Sequence, residues 1–86
     1  MSTMKIDPRQ LTYVRLIGEI SHALNQALTE ESQSRGLTLQ QMSDTLGKHK
    51  SVVSRLMAGE RNITLKSLAD LAFALNRPVR ISLPPR

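Results

Sequence analysis

The side chains best equipped for chemistry lie between Gly47 and Gly59: Lys48, His49, Lys50, Ser51, Ser54 and Arg55. They are cations and short hydroxyls, and no carboxylate occurs in that stretch. Lysine and arginine only donate hydrogen bonds, whereas serine donates and accepts. Such a set suits recognition of a polyanion better than movement of a proton. Nothing elsewhere competes with it. Cysteine is absent, His22 and His49 are the only histidines, and no glycine-rich phosphate loop or Ser/His/carboxylate set occurs. The composition therefore points away from an enzyme and predicts no metal site and no cofactor.

The elements that position these residues are legible around them. Thr38 is a helix cap, and Leu39, Met42, Thr45 and Leu46 give the helix that follows one apolar face. Gly47 ends it at a backbone angle that glycine adopts cheaply. A second short helix opens at Lys48 or His49. Its apolar side is Val52, Val53, Leu56 and Met57, and Ala58-Gly59 closes it. Ser43 is small enough for the two helices to approach closely, and the inward Val53 locks one on the other. The first turn of the second helix then points outward with His49, Lys50, Ser51, Ser54 and Arg55.

The rest of the chain is built around that pair. Asp7-Pro8 starts a long helix, with Leu11, Val14, Ile17, Ile20, Leu24, Ala27 and Leu28 recurring at three- and four-residue steps up to Arg35 and the cap Gly36. At 1.5 Å per residue it reaches roughly 42 Å, so part of it projects or meets another chain. Thr64 caps a last helix carrying Leu65, Leu68, Leu71, Ala72 and Leu75, which Asn76-Arg77-Pro78 ends. Val79-Arg80-Ile81-Ser82-Leu83 alternates as a strand does, and Pro84-Pro85 stops it; with no second strand in the chain to pair with, it either lies as an extended tail on the last helix or pairs with the same segment of a second subunit. The expected organisation is a flexible tip at 1–6, one helical domain at 7–78 with its paired helices at 38–58, and a C-terminal strand and tail at 79–86.

Charge follows the same division. Residues 1–34 hold three Lys/Arg against four Asp/Glu, and residues 35–86 hold nine against three. An α-helix fits the major groove of B-form DNA, and its first turn reaches base edges. Lys50, Ser51, Ser54 and Arg55 are thus candidate base readers, with Lys50 and Arg55 suited to guanine O6 and N7. Thr38, Gln40, Lys48, His49, Arg61, Asn62 and Lys66 are candidate contacts to the DNA backbone. The competing reading is a helical bundle whose charges are merely solvated. Two features weigh against it: serines are poor choices for an exposed helix interior, and the cations lack local carboxylate partners.

Residues 37–76 resemble the Cro/lambda-repressor (Xre-type) helix-turn-helix family. The residues that carry the resemblance are Leu37-Thr38, Ser43, Gly47, Lys50-Ser51, Val53-Ser54-Arg55 and Gly59, with Gly59-Glu60-Arg61-Asn62-Ile63-Thr64-Leu65, Leu68 and Ala74-Leu75 beyond. Leu39 stands where the family commonly has Gln, Ser43 where it has Ala, and Met57 where it has Glu. The resemblance implies an all-α, lambda-repressor-like bundle of four to five helices that binds operator DNA as a dimer. The long first helix and the terminal strand resemble the family's small antitoxin branch, in which such a strand pairs across the dimer.

The function expected is that of a dimeric, sequence-specific regulator of double-stranded DNA, a repressor of an inverted-repeat operator. Its dimer interface would be Val79, Ile81 and Leu83. The alternative is an antitoxin that neutralises a partner toxin through Tyr13, Ile17 and Ile20 and regulates its own operon. No apolar run approaches a membrane span and no apolar signal core opens the chain, so a cytoplasmic location without membrane contact is expected.

Overall fold

The computed structural model describes residues 7–60 and 62–86. It contains four helices: α1 (Pro8–Arg35), α2 (Leu39–Leu46), α3 (Lys50–Ala58) and α4 (Leu65–Leu75). Two expectations, the flexible tip at 1–6 and the backbone contact by Arg61, lie outside the described residues.

Local chemistry sets the helix boundaries. Asp7 caps α1 by accepting from the Arg9 amide at 2.9 Å, with Pro8 at the first helical position. Thr38 and Gln41 form a reciprocal capping box on α2: the Gln41 amide donates to Thr38 Oγ1 at 3.1 Å, and the Thr38 amide donates to Gln41 Oε1 at 3.0 Å. Thr64 caps α4 through the Ser67 amide at 3.0 Å. Asn76 ends α4 with φ 58°, a left-handed cap, so the helix stops before Pro78 is reached.

α2 packs on α3 and α4, and α1 packs on α3 and α4. The shared core is Leu24, Leu37, Met42, Val53, Leu56, Met57, Leu71, Ala74 and Leu75. Four expected core positions lie outside it. Leu11 and Val14 are exposed because α1 outruns the elements beneath it, and every residue from Asp7 to Leu16 is exposed. Thr45 is exposed, and Ser43 is buried in its stead. Leu65, in the first turn of α4, is 80% exposed. The long α1 gives the molecule extents of 50 × 32 × 23 Å and a radius of gyration of 15.1 Å.

The expected C-terminal strand is not formed: residues 77–86 have no regular secondary structure, and no strand occurs among the described residues. A strand needs a second strand to bond with, and the described residues supply none. The tail runs beside α1 and α4 and borders a groove of about 500 Å³ lined by Leu16, Ile20, Ala23, Leu68, Val79 and Ile81. Ile81 and Leu83 remain 76% and 94% exposed.

Candidate nucleic-acid interface

The α2–α3 corner is fixed by three residues. Gly47 sits at φ 63°, a left-handed conformation that costs a side-chain-bearing residue about 1 kcal/mol or more. Val53 is fully buried and locks α3 against its neighbours. Ser43 is also fully buried, and its hydroxyl donates to Leu39 O at 2.9 Å. That bond meets the need of a buried polar group without a partner from outside the helix.

With the corner set, α3 turns His49, Lys50, Ser51, Ser54 and Arg55 to solvent, and all five are exposed. At 100° per residue, Lys50, Ser51, Ser54 and Arg55 span an arc of about 140° opposite Val53, Leu56 and Met57. Among the described residues, Lys48, Lys50 and Arg55 are in no ion pair; the pairs that form are Arg9–Asp7, Arg35–Glu31, Lys66–Asp70, Arg77–Glu30 and Arg77–Glu31. The cations of this face are therefore not neutralised by those carboxylates. His49 occupies the N-cap position of α3, but its side chain makes no capping bond. The imidazole does not serve as a cap and is left to the outer surface.

The expected backbone contacts divide into two sets. Lys48, Asn62 and Lys66 are exposed around the reading helix, although Lys66 Nζ lies 3.5 Å from Asp70 Oδ1. Thr38 and Gln40 are exposed at the start of α2 but already hold internal partners. Thr38 Oγ1 caps the helix, and Gln40 Nε2 donates to Asp44 Oδ1 at 2.9 Å. Leu39, which stands where the family commonly has Gln, packs against the core. Asn62 Oδ1 accepts a hydrogen bond from Tyr13 Oη, a tie across 49 positions that no sequence periodicity announces.

A family model described as helix-turn-helix matches residues 31–81, more than half of the chain. The chain belongs to the Cro-type, Xre-like helix-turn-helix family. No curated protein and no solved structure matches it. Membership makes this Xre-like chain a DNA-binding regulator, and the family is not typically enzymatic. No helix of the described residues is long and apolar enough to cross a membrane. The match covers all of α2, α3 and α4 but only the last residues of α1. Residues 8–30, most of α1, thus lie outside the family match.

Proposed function

We propose that this Xre-like protein regulates transcription by binding a specific inverted-repeat operator as a homodimer, and that it represses. The observation that carries the reading is the exposed, carboxylate-free face of α3, with Lys50, Ser51, Ser54 and Arg55 on one side of a buttressed helix. Two such helices on a two-fold axis would sit about 34 Å apart, one turn of B-form DNA. The dimer surface is the apolar groove with Val79, Ile81 and Leu83, which a second copy would cover. Selection from a random duplex pool followed by salt titration tests the proposal. An enriched palindrome is expected, with log K falling at a slope near −7 against log salt if about eight phosphates are neutralised. No enrichment, or binding insensitive to salt, rejects it.

A second reading adds a protein partner: the chain acts as an antitoxin. The projecting start of α1 favours it, since Leu11, Val14 and Leu16 are exposed there. The surface first expected for a toxin is corrected. Ile17 and Ile20 are half-buried, Ile20 packs on the core, and the Tyr13 hydroxyl is engaged by Asn62. Co-expression with the product of an adjoining small reading frame tests this reading. Rescue of growth supports it, and unrelieved toxicity rejects it.

A further inference from the structure

One stripe of α1 meets the far end of the reading helix at four-residue steps. Tyr13 Oη donates to Asn62 Oδ1 in the α3–α4 loop. Ile17 lies against Gly59, where an added Cβ would stand 3.2 Å from Ile17 Cγ2. Ser21 Oγ donates to the Met57 carbonyl at 2.7 Å, and Asn25 Nδ2 donates to the same carbonyl at 2.8 Å. Four-residue steps keep side chains near one face of a helix, so Tyr13, Ile17, Ser21 and Asn25 form one continuous seam about 18 Å long.

The Met57 carbonyl belongs to the last turn of α3, where a helix leaves its carbonyls without intrahelical donors. The cap amides of that turn serve Arg55 O and Leu56 O. The Met57 carbonyl is served instead by two side chains of α1. The two hydrogen bonds it accepts therefore pin the end of α3 opposite the turn that presents Lys50 and Ser51. A nine-residue helix is about 13 Å long, so a tilt of about 5° about that end moves the presenting turn by about 1 Å. A shift of that size spoils base-edge hydrogen bonds, whose useful distances span only about 0.5 Å.

We infer that Ser21 and Asn25, with Tyr13 beside them, are positioning residues for DNA recognition: they hold α3 and the Asn62 loop at the angle from which the duplex is read. The inference rests on the DNA-reading role of α3. It makes the first helix, most of which lies outside the family match, a determinant of sequence choice without touching a base. Contacts that only add stability would raise the folded population and leave the preference between duplexes alone. Contacts that position α3 set that preference.

The test uses the full chain as wild type, the Ser21→Ala/Asn25→Ala double variant, Asn25→Ala alone and Tyr13→Phe. The probes are the duplex that wild type enriches from a random pool and a scrambled duplex of equal length and composition. Titrations are run well below each variant's unfolding midpoint, so every chain is folded. Loss of two side-chain hydrogen bonds is expected to weaken the enriched complex about tenfold and leave the scrambled one unchanged. Equal weakening of both duplexes, or of neither, overturns the inference. Should the double variant fail to fold, Asn25→Ala and Tyr13→Phe carry the same comparison with smaller expected losses. Amide exchange at Gly59 and Glu60 reads the anchoring without DNA: faster exchange in the variants supports it, and unchanged exchange overturns it. Absence of any enriched duplex in the wild-type arm would fault the parent reading, whereas failure in the variant arms alone faults this one.

Discussion

Glu31 and Arg77 join the last turn of α1 to the segment that follows α4: Arg77 Nε donates to Glu31 Oε2 at 2.9 Å. Arg35 Nε takes the other oxygen at 2.5 Å, and Arg77 Nη1 also reaches Glu30 at 3.0 Å. The course of the tail along the groove starts from this knot, because Arg77 is where the tail leaves α4.

Acidification should loosen that knot. The hydrogen bond from Arg35, and after it the one from Arg77, holds the Glu31 carboxyl below its ordinary value of 4.5. A depressed folded-state value means the contribution is complete above about 4.5 and is lost as pH falls through the folded value. The unfolding midpoint of the wild type should therefore drop more steeply below pH 4.5 than that of Glu31→Gln. Parallel curves for the two chains would contradict this.

Two glycines should differ in their tolerance of alanine. Both have positive φ, 63° at Gly47 and 74° at Gly59. A Cβ at Gly47 meets nothing within 4 Å, whereas one at Gly59 would crowd Ile17 Cγ2 at 3.2 Å and touch Ser21 Cβ at 3.4 Å. Gly47→Ala should cost about 1 kcal/mol from backbone strain alone, and Gly59→Ala distinctly more. Urea unfolding of the two variants decides it, and the reverse order would refute the packing argument.

Substitutions on the reading face should separate by role. Lys50→Ala and Arg55→Ala should relax sequence choice, each at a cost of about 1–3 kcal/mol on the preferred duplex. Lys48→Ala should weaken all duplexes alike and reduce the salt slope by about 1. Anisotropy titrations at several salt concentrations separate the two outcomes. An exchange of these patterns between Lys48 and Lys50 would reassign the reading turn.

The apolar tail offers a test of assembly. Ile81→Asp with Leu83→Asp leaves the core untouched, since both side chains face solvent. Covering two such side chains is worth about 1.5–3 kcal/mol each, so the dimer constant should fall more than tenfold while helix content stays the same. Sedimentation equilibrium measures this directly. An unchanged self-association constant would place the dimer surface elsewhere.

What was legible in the sequence was local. Asp7-Pro8, Thr38, Thr64, Gly36, Gly47 and Gly59 mark helix ends because capping involves residues only a few positions apart. The outward turn of α3 followed from the spacing of Val53, Leu56 and Met57. What was hidden was long-range. The hydrogen bonds from Ser21 and Asn25 to Met57 O span 36 and 32 positions and join side chains to backbone, so no periodicity foretells them. The tail alternates as a strand does, yet a ladder is a property of two segments, and alternation describes only one. Leu65 shows a further limit: its helix phase suits a core position, but a first turn can overhang the layer below it.

The projection of α1 bears on how the chain behaves in solution. A compact domain of this length would have a radius of gyration of about 12 Å, against the 15.1 Å found. Greater frictional drag makes such a particle elute from a sizing column ahead of its true mass. A single chain could therefore pass for a pair by chromatography, and stoichiometry must come from a method blind to shape.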